Sequence, residues 1–492
     1  MQVPFGEWLP DQPDHNKQGA NVANNVYYAA NTYKRFPSLV NYSSNTVSTD
    51  SKGAGSFRDN SNTVYNFVAT RTNIYQLASG AFTSRKASLT GDHDDFWTFT
   101  QFGEYIIASN GVDAPQYYLM GTSTNFANLS AIQSAGTVPT FRVSGVVRDF
   151  LVTGNITNAT NRIQWSGIND ITVWSGKQSD SQDLPGSGGQ VVAITSGEVG
   201  YVFRQNQIIR MDYVGGATVF RLSVISPNRG AVFGRTVCQD NRQIFFYADD
   251  GFYQINGDQI MPIGVEKVNR YFDLNLNKAY ADRICAAVDP FNQLAMWLFP
   301  STANTTNTTG ICDKIIIYNY ATKKWSLADA SASTIFSQFV GAFTVELMDI
   351  ISENLENISA ALDTDYWSGG QMFLGGIDSD YKAAIFSGNS NECEVETAEL
   401  EPFPGLRANI TGVRPIVDAT ATLTVKARER LADTESETSS VSMRDSGINP
   451  VRKSGRYVRA NVKVAAGTSF THAQGIDLVA SRAGTRWVMK II

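Results

Sequence analysis

The sequence predicts an all-β chain: a β-propeller of six or seven blades, preceded by an extended N-terminal arm and followed by a C-terminal β-sandwich. The first observation is a repeat. A short apolar strand with a near-constant aromatic-polar-aliphatic signature occurs seven times. The copies Tyr75-Gln76-Leu77, Tyr117-Tyr118-Leu119, Ile163-Gln164-Trp165, Ile209-Arg210-Met211 and Tyr253-Gln254-Ile255 stand 42 to 46 residues apart. That period is the length of one four-stranded blade. Looser copies follow at Ile317-Tyr318 and Ile385-Phe386, after gaps of 64 and 68 residues. Composition is the second observation. The chain is 42% hydrophobic and 17% charged, with Asn, Ser, Thr and Gly filling most other places. This mixture suits short strands joined by polar turns and is too apolar for a disordered chain. Turn chemistry is the third. Asn110-Gly111, Asp250-Gly251 and Asn256-Gly257 punctuate short apolar runs, and such pairs accept positive φ at low cost.

Residues 1–54 read as the arm, because Pro4, Pro10, Pro13 and Pro37 interrupt helix and central strand alike. Residues 55–394 carry the propeller. Thr63 to Thr70 pairs back on Asn73 to Leu77, and Phe96 to Phe102 on Tyr105 to Ala108. Runs at Val143 to Thr153, Arg162 to Trp165, Val191 to Thr195, Gly200 to Phe203 and Gln207 to Tyr213 follow. Val237 to Tyr247, Phe252 to Ile255 and Gln259 to Ile263 complete the regular part. Two insertions stretch the period. Val265 to Asn277 predicts a short amphipathic helix with Val265, Val268 and Phe272 on one face, and Phe336 to Ala361 is an apolar and acidic stretch of open state. An acidic alternation, Glu392, Glu394, Glu396, Glu399 and Glu401, marks the boundary to a basic sandwich at 395–492.

Charge is divided unevenly. Residues 402–492 hold 14 Lys and Arg against 7 Asp and Glu, whereas residues 1–401 hold 26 against 39. The basic end is therefore expected to dock on an acidic surface of its own or a neighbouring copy. The cysteines Cys238, Cys285, Cys312 and Cys393 form no CxxC pair and no zinc spacing, so buried free thiols are expected. The first ten residues lack the basic and apolar regions of a signal peptide, and no stretch is apolar enough to span a bilayer. A soluble chain made in the cytoplasm is expected.

Catalytic signals are poor. The three histidines are His15, His93 and His472. His93 lies in Asp92-His93-Asp94-Asp95, a set able in principle to ligate a metal, but solvated loop residues are the commoner reading. Gly186-Ser187-Gly188-Gly189 lacks the Lys and following helix of a phosphate cradle. Ser166 to Trp174 does not fit the turn spacing of sialidase-type propellers. No nucleophile elbow, P-loop, zinc-protease or dinucleotide motif is present. We therefore expect no enzyme, no catalytic, cofactor-binding or metal-binding residues, and no cofactor.

Several runs resemble a known family. Arg148-Asp149-Phe150-Leu151-Val152, followed by Arg162 to Asp170 and Trp174, resembles a blade of the tail nozzle, or packaged-DNA stabilisation, proteins of short-tailed bacteriophages. Gly200 to Phe203 with Ile208 to Met211, and Gly230 to Ile263, are similar to the blades that follow. Ala20 to Tyr28 with Tyr33-Lys34-Arg35-Phe36-Pro37-Ser38-Leu39 resembles the opening of that family, with Ser38 where Gly is usual. The resemblance covers most of residues 20–300. It implies a virion structural protein of the tail, assembled in the host bacterial cytoplasm. Six copies would form a homo-oligomeric ring below the portal and adaptor proteins, with tail needle or fibre proteins at the periphery. The ring would retain packaged DNA and pass it during ejection without specific binding or a membrane span. The alternatives are a tail-associated propeller that binds or degrades host glycans, and a peptide-binding hub.

Overall fold

The computed structural model describes residues 1–15, 17, 19–216, 218–305, 309–339 and 372–483. Of the open stretch from Phe336 to Ala361, residues 336–339 finish a strand and 340–361 lie outside the described residues.

Five four-stranded antiparallel sheets succeed one another along the chain. They begin at Gly53–Arg58, Thr98–Phe102, Phe141–Val147, Val191–Ile194 and Cys238–Asp240. A sixth comprises Cys285–Asp289, Leu294–Phe299, Cys312–Asn319 and the first half of the long strand Lys324–Phe339. The second half of that strand opens a seventh sheet, continued by Met372–Asp378 and Ala383–Gly388. Its outer strand is Ser38–Asn41, from the other end of the sequence. The first strands of the sheets adjoin one another in order, the fourth meeting the turn Gly234–Thr236 that leads into the fifth, and the seventh packs back on Gly53–Arg58. This is a closed, seven-bladed β-propeller. Strand pairing between distant ends of the chain closes the ring and leaves only short blade edges.

Every copy of the sequence signature falls on the third strand of a blade. The reason is packing. Blades stack face against face, and alternation sets the two apolar positions of the signature on one face of the third strand, toward a neighbouring blade. Ile163 and Trp165 of blade 3 meet Ile209 and Met211 of blade 4 in one buried cluster. Phe67, Tyr118 and Phe126 fill the junction of blades 1 and 2, and Phe203, Phe246 and Tyr253 that of blades 4 and 5. Fully burying such a side chain contributes roughly 1.5–3 kcal/mol, so the junctions supply much of the drive to close the ring.

Three elements differ from the sequence-based expectation. Val143 to Thr153 is a hairpin, Phe141–Val147 and Phe150–Ile156, turning at Arg148 with φ 54°. Val237 to Tyr247 likewise turns at Asn241 with φ 50°. Asn tolerates this left-handed conformation, but a turn at Arg carries no glycine to announce it. Finally, the helix spans only Asn269–Asn275; Val268 and Phe272 are buried while Val265 is exposed, so Val265 precedes the helix instead of sharing its inner face.

Residues 1–54, expected as one extended arm, are woven into two bodies. Ser38–Asn41 completes blade 7. Gln2–Pro4, Val26–Ala29 and Thr32–Arg35 join Ala408–Val417, Asn449–Gly455 and Ala473–Arg482 in one sheet. Gly19–Asn24 joins Cys393–Thr397, Tyr457–Val464 and Ala421–Arg428 in a second. The two sheets bury Phe5, Tyr33, Ile410, Leu423 and Val462 in a core that runs on without a break into the junction of blades 5 and 6, at Phe252, Trp297 and Trp325. A sandwich built from both chain ends thus shares its core with the propeller. Among the described residues no helix is long and apolar enough to cross a membrane.

Part of the charge asymmetry is consumed inside this sandwich. The alternating glutamates lie on Cys393–Thr397 and just beyond it, beside the basic strands. Glu392 pairs with Lys463 at 2.9 Å, Glu396 with Lys426 at 2.6 Å, and Glu399 with Arg428 at 2.5 Å. Arg459 sits between Glu396 and Asp14 of the N-terminal segment, 3.4 and 3.2 Å away. Glu396 and Glu399 are almost wholly buried, where removal of one partner leaves an uncompensated charge. The basic end docks on an acidic strand of its own chain.

Candidate functional site

The first strands of the blades surround an axial cavity of about 770 Å³, within the usual size range of ligand pockets. Phe96, Ile335 and Phe336 give it apolar wall, and Gln101, Asn155 and Gln190 give it polar wall. Thr100 and Ser144, on neighbouring inner strands, hydrogen-bond each other at 2.9 Å. A B-form duplex, whose major groove alone is about 12 Å wide, does not fit such a space.

A charged cluster occupies the wall where blades 1, 2, 3, 5, 6 and 7 converge. Asp50 accepts from Lys52 at 2.9 Å and from Arg283 at 2.5 Å. Burial pushes the Asp50 carboxyl up, but hydrogen bonds and charge from Arg283 and Lys52 outweigh it and hold the group below its ordinary value. Burial lowers the Lys52 ammonium, with Asp50 opposing. Arg142 donates to Asp95 at 2.7 Å. Arg235 lies in the short turn Gly234–Thr236 at the entrance to blade 5, its guanidinium 4.4 Å from the centre of the Phe96 ring. Its Nη2 donates to Thr334 Oγ1 at 3.0 Å. No carboxylate lies within ion-pair distance of Arg235 among the described residues.

The residues singled out from sequence have other tasks. His93 does not gather the neighbouring carboxylates around a metal. Its Nδ1 meets Asp94 at 2.8 Å, its Nε2 faces Arg283 Nη2 at 2.5 Å, and its carbonyl accepts from Lys52 at 2.6 Å. Asp95 is turned to Arg142 and to the Asp92 amide. Among the described residues no group of three or more His, Cys, Asp and Glu is placed to hold a metal. His15 packs edge-on against Tyr457, and His472 lies 3.3 Å from Asp418, both in the sandwich. All four cysteines are buried and unbridged.

The glycine-rich loop has the opposite polarity to a phosphate cradle. Its carbonyls, not its amides, converge on a charge. Arg204, 1% exposed, donates from Nε to the Gly189 carbonyl at 2.9 Å and from Nη1 to the Pro185 carbonyl at 2.7 Å. It also reaches Gln207 Oε1 at 2.7 Å and the Gly186 carbonyl at 3.3 Å. A Cβ at Gly188 would stand 2.7 Å from Gln207 Cβ and 2.8 Å from Arg204 Nη1, so glycine lets the loop close on the arginine. The loop is a structural clasp on blade 4.

Sequence reasoning did not find Arg235, Arg142, Phe96 and Thr334 as a group. They come from four separate blades or blade entrances, and nothing in their local sequence marks them.

Fold and site together define a seven-bladed propeller with an axial cavity, fused through a shared core to a two-ended β-sandwich. No family model matches the chain, and no curated protein matches it. Among solved structures, a chain of the crystal structure of the mitotic checkpoint complex is similar at 10% identity and TM-score 0.40, over 73% of this chain and 98% of that one. BamB from Moraxella catarrhalis is similar at 10% identity and TM-score 0.37, over 74% of this chain and 96% of that one.

Proposed function

We propose that the chain is a structural, non-enzymatic component of a bacteriophage tail: the subunit of a nozzle ring that retains packaged DNA and conducts it on ejection. The observation that carries this is the resemblance of Arg148 to Val152, of Arg162 to Asp170 and of Trp174 to the nozzle family, taken with what those residues do. Arg148 N donates to Gly197 O at 2.8 Å, and its guanidinium lies 4.5 Å from the Tyr213 ring, tying blade 3 to blade 4. Asn169 N donates to Asp149 O at 2.7 Å, and Leu151 N to Ser166 Oγ at 3.1 Å. The shared residues build blade junctions and turns, which suits a scaffold. Because the axial cavity is too small for a duplex, the conduit in this proposal lies between copies arranged about a common axis, joined by heterologous contacts.

The test is reconstitution. DNA-filled particles carrying portal and adaptor but lacking this protein are mixed with the purified chain, then imaged and assayed for nuclease-sensitive DNA. A ring of copies below the adaptor, with DNA retained, is expected. A chain that stays monomeric and does not bind these particles refutes the proposal.

A further inference from the structure

We propose that the axial cavity is a binding site for a small monoanionic carboxylate with an apolar body, anchored on Arg235. The proposal is independent of the nozzle reading, because it concerns the interior of a single propeller.

The anchor is defined by elimination among the basic groups in and behind the wall, of which Arg142 and Arg235 line the cavity. Lys52 and Arg283 share Asp50, and Arg142 is paired with Asp95. Arg235 alone among these four has no carboxylate partner within the described residues. Arg235 lines the cavity and is only partly buried, while its Nη1, shielded from solvent, is left to the Cys285 thiol among the described residues. The Cys285 thiol lies beside this guanidinium, but sulfur is a weak acceptor. A guanidinium cannot shed its proton at physiological pH, so its charge persists and demands an acceptor.

The geometry is held from three sides. The Phe96 ring lies against the guanidinium, and Thr334 fixes Nη2. Gly234 brings the backbone so near blade 4 that a Cβ there would stand 2.0 Å from the Val192 carbonyl. An anchor fixed in this way loses little freedom when a ligand arrives.

The wall also selects the ligand. Ile335 and Phe336 join Phe96 in lining the cavity and offer apolar contact to its body. Asp282 and Asp94 line it too, and Asp282 Oδ2 is buried with no hydrogen bond, 3.7 Å from Arg283 Nε. One unpaired cation in a wall that also carries these carboxylates favours a single negative charge over a dianion.

The experiment is titration calorimetry of the full chain with benzoate, with octanoate and with inorganic phosphate, on wild type, Arg235→Gln and Thr334→Val. Saturable binding of benzoate or octanoate to wild type is expected, with phosphate at least tenfold weaker. Loss of a charge-assisted hydrogen bond of about 1.5–3 kcal/mol predicts at least tenfold weaker carboxylate binding for Arg235→Gln. A smaller loss is expected for Thr334→Val, which keeps the charge and frees its orientation. Unliganded melting curves establish that each variant is folded; should Arg235→Gln fail to fold, Thr334→Val carries the test. Three results overturn the proposal: neither carboxylate binds wild type saturably, the folded variants bind as well as wild type, or phosphate binds more tightly than the carboxylates.

Discussion

Arg204 offers the sharpest test of how blade 4 is held. Its guanidinium is 1% exposed and makes four hydrogen bonds, to the carbonyls of Pro185, Gly186 and Gly189 and to Gln207. Arg204→Met keeps much of the side-chain volume and removes every donor. Hydrogen bonds to a charged group contribute about 1.5–3 kcal/mol each, but the four losses do not add. Pro185 and Gly186 are exposed, so water can serve their carbonyls once the loop lifts. Gln207 is buried, and Gly189 is partly so. Counting those two acceptors gives a loss of about 3 kcal/mol. Arg204→Lys is expected to fall close to Met, because one ammonium cannot reach acceptors spread around a planar fork. Urea unfolding followed by tryptophan fluorescence reads the loss as a lower midpoint with an unchanged slope. Limited proteolysis reads its location as new cleavage between Leu184 and Gln190. An unchanged midpoint together with an uncleaved loop would refute the reasoning, since the loop would then be holding itself.

Two further outcomes follow from one half-buried carboxylate and four buried thiols. Burial pushes the Asp329 carboxyl up, but Lys314 and the amides of Asn24 and Asn25 outweigh it and hold it below its ordinary value. Its stabilising contribution is therefore full above the unfolded-state pKa of about 3.9 and is lost as pH falls through the lower folded value. Asp329→Asn is expected to flatten the acid limb of a stability-against-pH curve; a limb as steep as wild type contradicts this. Burial also raises all four cysteine thiols, Cys393 to about 11, so little thiolate forms near neutrality. A colorimetric disulfide reagent should label the native chain slowly and label all four thiols promptly in denaturant; fast native labelling of any of them would show that its site opens.

The propeller was legible because its period is local chemistry repeated. Each third strand needs alternate apolar groups to face a neighbouring blade, and each hairpin needs residues that accept positive φ, so the pattern returned at blade length. Legibility failed at Arg148, where the turn is held by Gly197 and Tyr213 from the next blade, and at Val265, whose apolar side chain stays exposed. The blade count was also hidden. Lys324–Phe339 serves two blades at once, and the seventh is completed by a strand from near the other end of the chain.

By itself the sequence determined that this protein is all-β, repetitive, acidic in its body and basic at its end, because alternation and turn propensity act over a few residues. The tertiary structure decided everything that depends on meetings between distant residues. It spent the acidic alternation on the basic strands of the same chain, and it wove the proline-rich beginning into a sandwich and a closing blade. It turned the glycine-rich loop's carbonyls toward an arginine. It also left Arg235, unlike Lys52, Arg142 and Arg283, without a carboxylate partner among the described residues. Charge pairing and ring closure are set by distances in space, and no spacing along the chain encodes them.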